Sequence, residues 1–136
     1  MNREIIVFGG SGFLGSYVAD ALSEKGNNVT IFDLKISPYL RPDQKMVKGD
    51  IRDSAHVLEA VKGKEIVYHF AGIAGIKEAN EKPLEAVICN ILGTTKILEA
   101  CVKADVSRFI YASTVYVYSE HGGFYRSTKQ SSELLI

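Results

Sequence analysis

Short apolar runs alternate along this chain with longer stretches in which apolar residues recur at helical spacing. The runs at 4–8 (EIIVF) and 28–33 (NVTIFD) are nearly continuous in apolar or β-branched residues, which is typical of parallel strands buried on both faces. Five strands are predicted, over residues 4–8, 28–33, 45–48, 65–70 and 108–113. Because these strands are separated by helical patterns, the chain predicts an α/β fold with a parallel sheet and right-handed crossovers.

The helical stretches carry recognisable start and stop signals. The first is predicted over 12–25 and ends before Gly26, a residue suited to a helix C-terminus. Asp53 or Ser54 can cap a second helix, which Gly63 closes. A long helix is predicted from Pro83 to about residue 103, and a last helix from about 124 onward.

The sequence stops inside an apolar helical stretch, SSELLI at 131–136, with no cap and no closing strand. A doubly wound sheet normally has its second half after this point. We therefore expect a Rossmann-type doubly wound parallel sheet, truncated before its last strands.

Composition restricts the classes of partner. Sixteen basic residues balance sixteen acidic ones, which argues against nucleic-acid or membrane-surface binding. No apolar run approaches the roughly 20 residues of a membrane helix. Because the N-terminus reads as neither a signal nor a transit peptide, the expected location is cytoplasmic.

The cysteines and two of the histidines are expected to be structural or solvated. Cys89 and Cys101 fall twelve positions apart in one predicted helix, so they cannot pair there and are expected to be buried in the core. His69 ends a strand, and His121 lies in a polar turn. Neither histidine has partners at metal-ligand spacing, so no metal site is expected.

The first strand runs directly into a glycine-rich loop, GGSGFLG at 9–15, with Gly9, Gly12 and Gly15 in the pattern GxxGxxG. Glycine at these positions permits a tight turn, close approach of the backbone to a pyrophosphate and close packing of helix on strand. The N-terminus of the helix predicted from Gly12 offers free N–H groups and a partial positive charge to the anion. A strand, a loop of this kind and a helix together indicate dinucleotide binding.

Asp33 ends the second strand, about 20 residues after the loop, where a carboxylate accepts hydrogen bonds from the adenosine ribose. A 2′-phosphate would meet like charge at this point, so NAD is favoured over NADP. The neighbouring Lys35 leaves NADP open as an alternative.

Tyr125 and Lys129, in the segment YRSTK, are four residues apart and therefore share one face of the last predicted helix. A tyrosine with a pKa of about 10 becomes a base near neutrality only with about 4 kcal/mol of differential stabilisation, which a nearby ammonium group helps to supply. Thr114 follows the fifth predicted strand, where its hydroxyl could hold a substrate oxygen beside Tyr125.

Seven segments together carry a family resemblance: GGSGFLG at 9–15, Asp33, GDIRD at 49–53, HFAG at 69–72, NILGT at 90–94, YAST at 111–114 and YRSTK at 125–129. Through them the chain resembles the extended short-chain dehydrogenases/reductases, specifically the NAD-dependent epimerase/dehydratase family that acts on nucleotide sugars. The resemblance covers nearly all 136 residues.

The resemblance implies a role for each matching residue. Thr114, Tyr125 and Lys129 would be catalytic, with Tyr125 as the base and Lys129 gripping the nicotinamide ribose. Asp50 and Ile51 would contact the adenine, and Asn90 would support the site near the cofactor. The full cofactor-binding set that the resemblance implies is Gly9, Gly12, Phe13, Leu14, Gly15, Asp33, Leu34, Asp50, Ile51, Phe70, Ala71, Gly72, Asn90, Tyr125 and Lys129.

The resemblance also implies a reaction and an assembly. Tyr125 would take a proton from a sugar hydroxyl as hydride passes to NAD, and the keto sugar would then be reduced again or first lose water. The full-length parent would be a homodimer that pairs the long helix with the Tyr125 helix. Residues 1–136 would be its NAD-binding Rossmann portion, without the C-terminal part that binds the nucleotide sugar, and alone would bind NAD weakly and turn over nothing.

One departure and two alternatives remain. The connection from Thr114 to Tyr125 is shorter than in typical nucleotide-sugar epimerases, which bears on the substrate more than on the chemistry. The alternatives are an NADP-dependent carbonyl reductase of the same fold, against which Asp33 argues, and a non-catalytic dinucleotide-binding or redox-sensing module. Such a module would not need Tyr125 and Lys129.

Overall fold

A five-stranded parallel sheet forms the centre of the molecule in the computed structural model, which describes residues 2–136. The strands run in the spatial order β3-β2-β1-β4-β5. Their bounds are β1 Glu4–Phe8, β2 Asn28–Asp33, β3 Lys45–Lys48, β4 Ile66–His69 and β5 Arg108–Tyr111. The predicted parallel α/β sheet is confirmed, with β4 and β5 slightly shorter than the sequence pattern indicated.

Helices connect most of the strands. They are α1 Phe13–Glu24, α2 Ser54–Val61, α3 Ile76–Glu81, α4 Pro83–Ala86, α5 Thr94–Lys103 and α6 Gly123–Leu135. A 3₁₀ turn, Val115–Tyr118, precedes α6. Helix α3 was not predicted, because its six residues are mostly polar and its N-cap, Gly75, makes no side-chain cap. None of the helices in residues 2–136 is both long and apolar enough to cross a membrane.

The predicted continuous α-helix over 83–103 is wrong in its middle. Between α4 and α5 the chain forms a π-helical segment, Val87–Gly93, in which each backbone hydrogen bond spans one residue more than in an α-helix. Gly93 ends this segment against the Ile51 side chain, and a Cβ at position 93 would lie 2.6 Å from its Cδ1. Such segments are frequent at functional sites, and this one contains Asn90.

The core lies on both faces of β1, the central strand. Ile6 and Phe8 face one apolar cluster, and Ile5 and Val7 face the other. The Phe8 ring packs against that of Phe32 with their centroids 4.8 Å apart. Each such fully buried side chain contributes about 1.5–3 kcal/mol of hydrophobic stabilisation, so β1 holds the two layers together.

The parallel register brings the carboxyl ends of the strands to one edge of the sheet. The chain enters the glycine loop from β1, and the Gly9 N–H donates to the Phe32 carbonyl at the end of β2. Strands β2 and β3 lie on one side of β1, whereas β4 and β5 lie on the other side, so the strand order reverses at β1. A crevice at such a switch point is where open α/β sheets bind ligands.

Candidate active site

A cleft of about 530 Å³ opens at this edge, between the glycine loop and the start of α6. It brings together thirteen of the predicted site residues: Gly9, Gly12, Phe13, Leu14, Gly15, Asp33, Leu34, Ile51, Phe70, Ala71, Gly72, Tyr125 and Lys129. Three predicted residues, Asp50, Asn90 and Thr114, are not among those that line it.

The glycine loop leaves no room for larger residues. Gly9 adopts φ +77°, and a Cβ there would lie 2.5 Å from the Ala71 amide nitrogen. A Cβ on Gly15 would run into the Gly9 carbonyl oxygen, whereas one on Gly12 would lie 3.3 Å from the same atom. The close approach of helix α1 to strand β1 therefore depends most on Gly9 and Gly15.

The N-terminus of α1 points its unpaired first-turn amides at this cleft. Phe13 and Leu14 form that turn and are both exposed, and no acidic side chain lies in the first turn. The helix end therefore offers N–H donors and partial positive charge to an anion with no competing carboxylate of its own.

Asp33 ties the glycine loop to the end of β2. Its carboxylate accepts the Ser11 N–H at 3.1 Å and the Lys35 N–H at 3.2 Å. The Ser11 hydroxyl donates to the Lys35 carbonyl at 2.8 Å, which holds the two loops together. A carboxylate offers about four lone-pair positions, so acceptor capacity remains on the side that faces the cleft.

Asp50 and Ile51 separate in the structure although they are adjacent in sequence. Ile51 is buried and lines the cleft. The Asp50 carboxylate instead forms a bidentate ion pair with Arg52, whose Nη2 lies 2.7 Å from the Asp50 Oδ2. The Arg52 guanidinium holds the pKa of Asp50 below its usual range. Gly49, from the same motif, contributes to the cleft wall in its place.

Asn90 joins two parts of the site from behind the cleft. Its side chain accepts the Ile73 N–H at 2.8 Å and donates to the Ile73 carbonyl and to the Thr128 hydroxyl, each at 3.0 Å. Gly72, at φ +144°, passes so close that a Cβ would lie 2.5 Å from the Asn90 Oδ1. Asn90 therefore fixes the loop after β4 to helix α6.

Lys129 is held as a buried cation at the far end of the cleft. Its side chain is 9% exposed, its Nζ donates to the Ala112 carbonyl, and it lies 4.1 Å from the centroid of the Tyr111 ring. Burial lowers the pKa of Lys129 to about 8, with the nearby Glu133 acting in the opposite direction. A pKa of about 8 still leaves the ammonium largely charged at neutral pH.

Tyr125 is half-buried and lines the same cleft as Lys129. Its ring stands edge-on to that of Tyr116, with the centroids 6.2 Å apart. The predicted placement of Tyr125 and Lys129 on one face of a helix is confirmed, since both reach one cavity from α6.

The end of β5 presents a different hydroxyl from the predicted one. Ser113 is exposed and lines the cleft, whereas the Thr114 hydroxyl is directed to the Tyr116 N–H, 3.4 Å away. The sequence reasoning missed Ser113 because the motif places the hydroxyl at 114. The other lining residues that it missed are Phe32, Gly49, Ile73, Ala74, Glu78, Cys89 and Ala112.

The expectation that both cysteines are core residues holds for one of them. Cys101 is buried, and burial raises the pKa of its thiol to about 11. Cys89 is half-buried and lines the cleft, which corrects its predicted place in the core. Both residues lie in the π-helical segment, in which Cys89 lines the cleft and the Asn90 side chain bonds Ile73 and Thr128.

His69 is buried behind the cleft and is neutral. The hydroxyl of Thr94 donates to the Asn90 carbonyl, so it accepts the proton of the His69 Nε2, 2.9 Å away. Burial, and then the positive charge of Lys129, lower the pKa of His69 to about 3. His121 is exposed in its turn. No cluster of metal-ligating side chains occurs in the part of the chain that the structure describes.

A glycine-lined crevice lies at the switch point, with an acidic residue at the end of β2, and these are the features of a dinucleotide-binding α/β domain. The model of the NAD dependent epimerase/dehydratase family matches residues 5–134. The chain therefore belongs to that family, whose cofactor is NAD.

Individual relatives agree with this membership. The chain is 33% identical over 129 residues to a UDP-glucose 4-epimerase of Klebsiella pneumoniae, covering 86% of this chain and 93% of that protein. It is 39% identical over 121 residues to the short-chain dehydrogenase/reductase family 42E member 1 of Danio rerio, covering 85% of this chain but 30% of that protein.

Among solved structures, MoeE5 in complex with UDP-glucose and NAD superimposes with a TM-score of 0.88 at 29% identity. The match covers 97% of this chain and 47% of MoeE5. The chain thus spans about half the length of that structure, and less than a third of the Danio rerio relative.

Proposed function

We propose that residues 1–136 form the NAD-binding part of a nucleotide-sugar epimerase or dehydratase, in which Tyr125 moves the proton and Lys129 supports it. The observation that carries this proposal is the continuity of the cleft, which has the glycine loop at one end and Tyr125 with Lys129 at the other. One extended ligand could therefore contact both ends.

The residues present fit a dinucleotide. Glycine at positions 9 and 15 keeps the loop tight against helix α1 and the chain after β4, because a Cβ at either position would collide with backbone atoms. The amides of Phe13 and Leu14 would hold the pyrophosphate, Asp33 the adenosine ribose, and Ile51 one face of the adenine pocket. Asp33 would repel a 2′-phosphate, which favours NAD over NADP and disfavours the carbonyl-reductase alternative. When bound, NAD supplies a hydride acceptor that can return the hydride to the substrate.

The chain's own groups handle the proton. Lys129 is a desolvated cation on the helical face that carries Tyr125, so its charge would stabilise negative charge that develops on the tyrosine oxygen during proton transfer. That oxygen would accept the proton of a sugar hydroxyl as the hydride leaves the same carbon, and would return the proton when the hydride comes back. The Ala112 carbonyl and the Tyr111 ring keep the Lys129 ammonium in place throughout.

The substrate hydroxyl needs a second hydrogen-bonding partner. Thr114 matches the family pattern, and Ser113 already lines the cleft, so we assign this role to one of these two adjacent hydroxyls. The relatives' names include UDP-glucose 4-epimerase, and MoeE5 was solved with UDP-glucose. A nucleotide sugar is therefore the proposed substrate class, and a homodimer through the α5 and α6 region is the proposed assembly.

The cofactor part of the proposal is tested by titrating the chain with NAD and NADP in a calorimeter. Binding of NAD in preference to NADP is expected, and binding of neither would contradict the proposal.

The catalytic part is tested in the complete protein that carries these residues, by following NADH absorbance and epimer formation with UDP-glucose and related nucleotide sugars. Tyr125→Phe is expected to lower turnover by about 100-fold or more while NAD still binds. Tyr118→Phe is the matched control, since Tyr118 is 89% exposed and outside the cleft. Full turnover in Tyr125→Phe would contradict the role of Tyr125, whereas no turnover in the wild type, with NAD still bound, would favour the non-catalytic dinucleotide-binding module.

A further inference from the structure

Helix α6 begins without a cap of its own. Its N-cap residue, Gly122, adopts φ +115° and has no side chain to offer. The first helical residue, Gly123, is also left-handed, at φ +52°. The N–H groups of the first turn, immediately before Tyr125, therefore have to find their acceptors elsewhere.

Asn80 of helix α3 supplies the missing acceptor. Its Oδ1 accepts the N–H of Phe124, the second residue of α6, at 3.0 Å. Position 124 is where a helix receives the bond from an ordinary N-cap side chain, although Asn80 lies 44 residues earlier in the chain. A Cβ on Gly123 would collide with the same Oδ1, so glycine at 123 is what admits Asn80.

The start of α6 and its later turns are anchored independently. Lys129, one turn beyond Tyr125, is fixed by Ala112 and Tyr111 of the β5 strand and its end. Within residues 2–136 the Tyr125 side chain makes no hydrogen bond, and its ring stands edge-on to that of Tyr116 in the short connection before α6. The Asn90–Thr128 hydrogen bond holds α6 from the C-terminal side of Tyr125, and the docking of its first turn holds it from the N-terminal side.

We propose that Asn80 is a positioning residue for Tyr125, acting as a cap supplied by a distant helix. The inference rests on the proposed function for the role of Tyr125, but the docking itself does not. This contact explains how Tyr125 reaches the cleft although the connection from Thr114 is short. Two glycines with positive φ, Gly122 and Gly123, reverse the chain direction, and the hydrogen bond from Phe124 to Asn80 fixes the start of α6.

The test compares Asn80→Leu, Asn80→Asp and Lys77→Leu. Leucine is close in size but accepts no hydrogen bond, and aspartate restores the acceptor. Lys77 lies on the same helix with its side chain 89% exposed, so Lys77→Leu controls for an added apolar side chain. Two readouts need no turnover: hydrogen exchange of the Phe124 amide, and the ¹³Cζ NMR signal of Tyr125 assigned through Tyr125→Phe.

Asn80→Leu is expected to speed exchange at Phe124 by about fivefold and to shift the Tyr125 signal, with NAD affinity within about twofold of wild type. Asn80→Asp should restore slow exchange at Phe124, and Lys77→Leu should change neither readout. In the complete protein, Asn80→Leu should lower kcat with little change in the KM for the nucleotide sugar. An unmoved Tyr125 signal in Asn80→Leu, or failure of Asn80→Asp to restore slow exchange, would overturn the proposal.

A second pair of variants keeps the test decisive if Asn80→Leu unfolds. Gly123→Ala pushes Asn80 away, whereas Gly63→Ala places the same methyl group at another left-handed position, φ +71°, with open space around it. Only Gly123→Ala should shift the Tyr125 signal, and equal effects of the two variants would count against the proposal. A moved Tyr125 in a protein that shows no turnover even as wild type would refute the proposed function and leave the docking intact.

Discussion

The Nζ of Lys129 stands 4.1 Å above the centroid of the Tyr111 ring and donates to the carbonyl of Ala112. Lys129 is 9% exposed, so its ammonium group has lost most of its hydration. The aromatic face and the carbonyl oxygen each stabilise the cation in return. The balance is unfavourable enough to lower the pKa of Lys129 to about 8. The buried charge of Lys129 therefore lowers the stability of the fold.

This cost predicts how the stability of Lys129→Met relative to wild type will depend on pH. Because the folded pKa of about 8 is below the ordinary value of 10.5, the unfolded chain binds more protons between these values, and stability rises with pH there. The cost of the buried cation is about 3 kcal/mol below pH 8 and is relieved toward pH 10.5. The free energy of unfolding of Lys129→Met, relative to wild type, should fall by about 2 kcal/mol from pH 7 to pH 10 in urea titrations.

Lys103→Met is the control for this measurement, because Lys103 is an exposed lysine of α5 paired with Glu99. Its stability relative to wild type should be nearly independent of pH over the same range. A flat difference for Lys129→Met would mean that Lys129 is not desolvated in the native state.

His69 predicts a second, separate pH effect. Its folded pKa of about 3 is below the ordinary 6.5, so its contribution to stability is fully present above pH 6.5 and is lost as the pH falls from there toward 3. His69→Gln should be less stable than wild type at pH 7, but the gap should narrow by about 2 kcal/mol at pH 4.5. Thermal unfolding at both pH values measures this, with the exposed His121→Gln as control; an unchanged gap would contradict a buried neutral imidazole.

The glycine loop predicts a sharp difference between two Gly→Ala variants. Gly15→Ala should lower NAD affinity at least about tenfold and stability by about 1–3 kcal/mol, because its methyl group has to displace the Gly9 carbonyl. Gly26→Ala, at φ +80° with open space around it, should lower stability through backbone strain but leave NAD affinity unchanged. Equal NAD affinities for the two variants, measured by calorimetry, would remove the loop from the proposed site.

Asp33 predicts cofactor preference. Asp33→Asn removes the charge that opposes a 2′-phosphate, and the nearby Lys35 is then free to attract it. The preference for NAD over NADP should fall by about tenfold or more. The affinity for NAD should fall by a smaller factor, because the asparagine amide accepts the Ser11 and Lys35 N–H groups more weakly than the carboxylate does. Asp43→Asn, at an exposed ion pair with Arg41, should leave the preference unchanged. An unchanged preference in Asp33→Asn would mean that another residue selects the cofactor.

The sequence alone determined the strands, the glycine loop, Asp33 and the pairing of Tyr125 with Lys129. These features depend on neighbours within a few residues: apolar runs, glycines where the backbone has to pass closely, and the four-residue spacing of one helical face. Parallel register then carries the ends of β1, β2, β4 and β5 to one edge without further information.

Only the tertiary structure decided which residues of the matching motifs meet the cleft. Asp50 is held by Arg52 while Ile51 faces the cavity, Cys89 faces it while Asn90 is buried, and Ser113 reaches it before Thr114. The docking of Asn80 on α6 joins residues 44 positions apart. The contacts of Asn80 with α6 and of Asn90 with Ile73 and Thr128 have no local signal, because each depends on a partner that folding brings in. The π-helical segment around Asn90 also departs from the regular spacing that the helical pattern predicts.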